Sequence, residues 1–130
     1  RRRIGVAVSD GLGLTAQAAT VIDNTSEEHV FSAVQSLVEQ YEASLIVIGL
    51  PRRTDGTLGP EAENVRAFGQ KLAGVIGIPV EYWDERFSTA EAERMLIEAG
   101  LRRSRRRQVV DQVAASIILQ GYLDRQRRQN

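Results

Sequence analysis

Apolar and polar positions first alternate in twos and then recur at helical spacing, and the switches between these periods mark the elements. Ile4, Val6 and Val8 alternate with Gly5, Ala7 and Ser9, which predicts a strand over residues 3–10. Gly11-Leu12-Gly13 predicts a turn, and residues 16–23 a second strand, so the two form a hairpin. Thr25 and Glu28 have the spacing of a capping box. After them Val30, Phe31, Val34, Leu37, Val38 and Tyr41 form a helical stripe. Residues 45–50 (Leu-Ile-Val-Ile-Gly-Leu) are continuously apolar, as in a parallel strand covered on both faces. A polar loop over 51–59 leads to Pro60, suited to a first helical turn, with Ala62, Val65, Phe68 and Leu72 as that helix's stripe. A strand rich in β-formers follows around Val80. Next come a helix over 89–99, entered through a Ser88/Glu91 capping box and stopped at Gly100, and a last helix over about 108–124. The order β-β-α-β-α-β-α-α predicts an α/β domain with a mixed sheet flanked by helices. The chain shows no internal repeat and no linker, so residues 1–130 read as one domain.

Composition narrows the chemistry. With 42% apolar and 26% charged residues, the chain has the make-up of an ordinary soluble globular protein. No apolar run approaches the ~20 residues that span a bilayer, and a cytoplasmic location with no membrane partner is the expectation. There is no cysteine and a single histidine, His29, so thiolate and imidazole metal clusters are excluded. A metal here would be a hard, oxygen-liganded ion, Mg²⁺ or Mn²⁺.

Formal net charge is zero, but its distribution is uneven: Lys71 is the one lysine among 17 basic residues. The arginines bunch at 1–3, at Arg102, Arg103, Arg105, Arg106 and Arg107, and at 125–128. Such bunches can grip phosphate bidentately, although solvated loops and fraying termini also carry them.

Candidate chemistry concentrates at the end of the fourth strand, in Trp83-Asp84-Glu85-Arg86-Phe87-Ser88-Thr89. Open α/β sheets place ligand crevices at such strand-to-helix junctions. Asp84 and Glu85 point to opposite faces of a strand and meet only if the chain turns between them. The plainer alternative is a pair of solvated carboxylates favoured by a helix N-terminus. Asp111 borders the apolar stripe Val110, Val113, Ala114, Ile117 and Gly121 of the last helix, stacked with Ala115, Ile118 and Tyr122. A carboxylate bordering an apolar face needs a partner, or is a first-turn aspartate held by the dipole and nearby arginines. The loop after Gly49-Leu50-Pro51 leaves the same sheet edge, and its Arg52, Arg53 and backbone amides could hold phosphates; Asp55-Gly56 is also ordinary turn chemistry. This loop is not a P-loop, and no serine has a histidine in triad order. Paired carboxylates with arginine clusters favour a phosphodiester substrate, with carboxylates holding metal that activates water.

Arg3-Ile4-Gly5-Val6-Ala7-Val8-Ser9-Asp10, Gly49-Leu50-Pro51 with Asp55-Gly56, Asp84-Glu85-Arg86 with Ser88-Thr89, and Asp111 with Ala114-Ala115 occur in an order and spacing that resemble the YqgF family. Members of that family, within the RNase H-like superfamily, are described as Holliday junction resolvases or pre-16S rRNA nucleases. The resemblance covers nearly the whole chain. It implies a metal-dependent nuclease on an RNase H-like sheet, with Asp84, Glu85 and Asp111 as catalytic residues and Glu85 and Asp111 as metal ligands. It also implies a central first strand bearing a further aspartate, which is not among these residues. The expectation is therefore that the natural protein extends upstream of Arg1 by roughly one strand of ~5 to 10 residues.

Three functions follow. The first is a Mg²⁺- or Mn²⁺-dependent nuclease processing the 5′ end of pre-16S rRNA, with Arg52, Arg53, Arg86, Arg102, Arg103, Arg105, Arg106 and Arg107 contacting the nucleic acid. The second is a Holliday junction resolvase acting on branched DNA. The third is a non-catalytic nucleic-acid-binding module of the same fold. Each is compatible with a monomer or a homodimer.

Overall fold

The structure, a computed structural model, describes residues 3–50, 57–84, 94, 97 and 103–129. At Arg3, Asp84 and Asp111, over 103–109 and at 128–129 it describes the backbone alone. The elements are β1 (Arg3–Ser9), β2 (Ala16–Asp23), α1 (Glu27–Tyr41), β3 (Ile46–Leu50), α2 (Pro60–Ile76), β4 (Val80–Asp84) and α3 (Arg103–Gln129). The fold is mixed α/β, with small β-sheets flanked by helices, consistent with RNase H-like topology. Both kinds of pairing predicted from the element order are present, as an antiparallel β1–β2 ladder and a parallel β3–β4 ladder. By contacts the chain divides into two compact units, Arg1–Asp23 with Phe87–Asn130, and Asn24–Arg86. No helix among the described residues is long and apolar enough to cross a membrane.

In the first unit the predicted hairpin forms, with a bulge where Val6 pairs with Thr20 and Ala7 with Ala18. Its connection is closed by Asp10. The Asp10 N–H donates to the Thr15 carbonyl at 3.0 Å, and the Gly13 N–H to the Asp10 carbonyl at 3.1 Å. Gly13 adopts φ +70°, the left-handed conformation that glycine enters without a Cβ penalty. Helix α3 packs across both strands. Among the described residues of this unit, Ile22 and Ile118 are the buried apolar side chains, at 5% and 9% exposure.

Helix α3 departs from the sequence reading in two ways. It starts at Arg103 rather than near Gln108, so the arginine run 103–107 is helical rather than a loop or frayed end. Its covering is also broad. The side chains over 112–124 are half-buried on every side, and the buried one is Ile118 rather than a member of the Val110/Val113/Ala114/Ile117/Gly121 stripe. A helix lying along two strands is covered over a wide arc, so its hydrophobic periodicity is weak and misplaces the most buried face.

The second unit runs α1-β3-α2-β4 around a small apolar centre. Helix α1 is capped by Ser26, whose hydroxyl accepts from the His29 N–H at 3.1 Å. The expected Thr25/Glu28 capping box is therefore displaced by one residue, because Ser26 takes the extended conformation that aims its hydroxyl at the first turn. Tyr41, expected on the apolar stripe, is exposed at the helix end. Pro60 opens α2 as predicted, behind Gly59. Gly77 ends α2 at φ +85°, whereas α1 ends on Glu42 at φ +52°, a conformation that costs a non-glycine residue about 1 kcal/mol. Val30, Leu50, Ala62 and Leu72 are buried, and the Phe31 and Phe68 rings join α1 to α2 with centroids 5.4 Å apart. β3 is parallel as its apolar run predicts. Its coverage is only partial, with residues 46–49 half-buried and Leu50 buried.

Candidate functional site

The parallel ladder fixes where Asp84 lies. Ile46 pairs with Val80, Gly49 with Trp83 and Leu50 with Asp84, so both strands end together. Asp84 is thus the last paired residue of β4, at the carboxyl edge where open α/β sheets hold ligands. The chain leaves β3 from that same edge after Leu50, as the sequence reading expects. Arg52, Arg53, Asp55 and Gly56, and likewise Glu85, Arg86 and the Ser88/Glu91 capping box, lie outside the described residues.

Asp111 lies on α3, seven residues before buried Ile118. Seven residues are close to two turns, so both positions share a helix face. Arg103, Arg105, Arg106 and Arg107 occupy the opening turns of the same helix, which has no acidic residue in its first turn. Four cations at the positive end of a helix dipole are unfavourable unless anions approach them. Arg107 and Asp111 are one turn apart on one face. Arg102 lies outside the described residues, as does most of the predicted helix over 89–99; within it Arg94 and Ile97 are helical and exposed.

Among the described residues no group of three acidic or imidazole side chains comes together in a way that could hold a metal. His29 is an exposed residue of α1's first turn, in keeping with the surface role expected of it.

A cleft of about 300 Å³ lies where α2 crosses β4, lined by Arg66, Gly69, Gln70, Ala73, Val80 and Tyr82. It reflects packing more than chemistry. Tyr82 Oη donates to the Arg66 carbonyl at 3.2 Å, and a Cβ on Gly69 would lie 2.3 Å from that hydroxyl. Gly69 is therefore required by the close approach of the tyrosine.

Two polar residues that sequence reasoning missed organise the hairpin. Asp10 Oδ1 accepts the Leu14 N–H at 2.7 Å and the Thr15 N–H at 3.3 Å. The Leu14 bond above all, with smaller help from Thr15 and Gly13, lowers its carboxyl below the usual 3.8. Gln120 on α3 reaches the same connection. Its Oε1 accepts the Ala16 N–H at 2.8 Å, and its Nε2 donates to the Leu14 carbonyl at 2.9 Å and to Asp124 at 3.0 Å. Asp124 also pairs with Arg127. Asp10 directly before Gly11 and Gly13 could have been recognised as a turn residue, although its bonds reach four and five residues on rather than the two of an Asx turn. Nothing local marks Gln120, because its partners lie 104 and 106 residues away.

Comparison with known proteins places this geometry in a family. The family described as "RuvX: Holliday junction resolvase" matches residues 1–125. A relative from Halothermothrix orenii is 50% identical over 127 residues, covering 98% of this chain and 91% of its own length. One from Symbiobacterium thermophilum is 53% identical over 123 residues, covering 95% and 85%. A third, from Moorella thermoacetica, is 52% identical over 124 residues, covering 95% and 89%. Each of the three bears the name "Putative pre-16S rRNA nuclease". Identity of this level along nearly the whole length, together with the mixed α/β fold, shows that the chain belongs to the RuvX (YqgF) family of the RNase H-like superfamily.

Proposed function

We propose that the protein is a metal-dependent nuclease of structured nucleic acid that processes the 5′ end of pre-16S rRNA. It would act in the cytoplasm as a single nuclease domain. The similarity to relatives named for that substrate, 50% identical over 127 residues and 53% over 123, is the observation that carries this reading. The register that ends the parallel ladder at Asp84 supports it, since that edge is where ligands bind in such folds.

Asp84, Glu85 and Asp111 are the proposed carboxylates, with Glu85 and Asp111 as ligands of Mg²⁺ or Mn²⁺. Hard oxygen donors are what this chain offers, with no cysteine and with its one histidine exposed on α1. A bound metal of this kind activates water and stabilises the leaving oxygen. The protein's own contribution is to hold the phosphodiester backbone through Arg52, Arg53, Arg86, Arg102, Arg103, Arg105, Arg106 and Arg107. Residues 103–107 are the opening turn of α3, where an approaching phosphate would relieve the conflict of Arg103, Arg105, Arg106 and Arg107 with the helix dipole.

The test compares wild type with Asp111→Asn on a pre-16S rRNA fragment and on a four-way DNA junction, with and without Mn²⁺. Expected is Mn²⁺-dependent cleavage of the RNA, reduced about a hundredfold or more by the substitution. Unchanged turnover in the variant removes Asp111 from the site. The family description favours a second reading, Holliday junction resolution, and preferential cutting of the DNA junction would select it. Salt-sensitive binding without turnover would select the non-catalytic module.

A further inference from the structure

We infer that Gln120 is a positioning residue of the nuclease: its amide fixes α3 against the β1–β2 hairpin, and through that helix sets the place of Asp111. The inference rests on the nuclease reading above, in which Asp111 is a metal ligand.

The packing of α3 leaves its register to something directional. Side chains over 112–124 are half-buried on every side apart from buried Ile118, and Ala114, Ala115 and Gly121 are small. Apolar burial is non-directional, so a rod lying along two strands gains little from it against a slide or a roll. Hydrogen bonds do fix direction. Gln120 Oε1 accepts the Ala16 N–H at 2.8 Å, and Nε2 donates to the Leu14 carbonyl at 2.9 Å. Because one atom accepts while the other donates, the amide fits this pair of backbone groups in one orientation. Its second N–H is taken by Asp124 at 3.0 Å, one turn further along α3, and Asp124 is itself paired with Arg127. The amide is therefore held by its own helix as well as by the hairpin. The hairpin side is fixed in turn, since Asp10 accepts the Leu14 and Thr15 N–H groups.

What the clasp holds extends to Asp111. Gln120 and Asp111 lie on one continuous helix, in one compact unit with the hairpin. The residues between them include neither glycine nor proline, so a displacement at Gln120 is carried along the helix rather than absorbed by a kink. Their separation is about 13.5 Å along the axis and about two and a half turns. Asp111 therefore occupies the face of α3 opposite to Gln120, the face it shares with buried Ile118. A roll of about 10° moves a group about 5 Å from the helix axis by about 1 Å. A functional constellation must be held to within about 0.5 Å, so the clasp controls a tolerance that matters to a ligand.

The experiment measures Mn²⁺ binding to the full-length protein without nucleic acid, by the paramagnetic resonance of the free ion, and separately kcat and KM on the pre-16S rRNA fragment. Gln120→Leu should weaken Mn²⁺ binding about tenfold and lower kcat about tenfold at fixed Mn²⁺, while changing KM for the RNA less than about twofold. Ile22→Val loosens the same unit without touching the clasp, and should leave Mn²⁺ binding and kcat as in wild type. In an Asp111→Asn background, Gln120→Leu should weaken Mn²⁺ binding no further. Should Gln120→Leu not fold, Gln120→Glu takes its place, since a carboxylate keeps the Ala16 bond but cannot donate to the Leu14 carbonyl. Wild-type Mn²⁺ binding in the Gln120 variant, an equal loss in Ile22→Val, or losses that add in the double variant each overturn the positioning role and leave the nuclease reading intact. Wild type that neither binds Mn²⁺ nor cleaves the RNA refutes both.

Discussion

The antiparallel hairpin and the parallel strand pair have similar sizes, yet different forces close them. In the unit holding β3 and β4, the strands are joined through α2 and pinned by apolar burial. Leu72 is 2% exposed, Val30 and Ala62 1%, and Leu50 4%. In the unit holding the hairpin, Ile22 and Ile118 are the buried apolar side chains among the described residues, and polar groups add to the closure. Asp10 ties the turn from within, and Gln120 ties it to α3 across more than a hundred residues of chain. A parallel pair must bring distant strands together and depends on a helix packed over it. A hairpin closes locally, and here its supporting helix adds a side-chain amide clasp to its packing across both strands.

This contrast can be broken by substitution. The largest effect belongs to the apolar unit: Leu72→Ala should lose about 2–4 kcal/mol of stability, measured by urea unfolding. A loss no greater than that from a surface change would mean that the parallel pair is not held by its core. Next is Gln120→Leu, which keeps volume but strands the Leu14 carbonyl and the Ala16 amide, at a cost of about 1–2 kcal/mol. Hydrogen exchange at the Ala16 amide should accelerate relative to the β3–β4 amides; equal protection in the variant would show that the amide clasp contributes nothing.

The smallest effect is on pH. Asp10 has a lowered carboxyl pKa in the folded state, so its contribution to the turn is complete above the usual value of 3.8 and fades as pH falls through the lower, folded value. Carboxyl NMR should place its midpoint below that of an unstructured aspartate. An Asp10 midpoint at or above the ordinary value would contradict the bonded turn.

How far the sequence could be read differs along the same division. Strands over 3–10, 16–23 and 45–50 are legible because side-chain period and strand geometry are directly linked. Pro60 marks the start of α2 because it has a backbone preference that few residues share. Asp84 at a sheet edge followed from the same logic, and the Leu50–Asp84 register agrees with it. The cap of α1 was misplaced by one residue because Thr25 and Ser26 are chemically equivalent caps, and only backbone conformation chooses between them. The start of α3 was misplaced because arginines, good helix formers individually, carry no apolar periodicity to signal a helix.

Taken alone, the sequence determined the types of the described elements and, through spaced motifs along the chain, the family. Those are properties of local backbone preference, residue chemistry and order along the chain. Tertiary structure decided that Ile118 is the buried residue of α3, that Gly69 must lack a side chain to admit Tyr82, and that Gln120 clasps a turn 104 residues distant. Each of these depends on which surfaces meet in space. Contacts of that kind leave no periodic trace in the sequence.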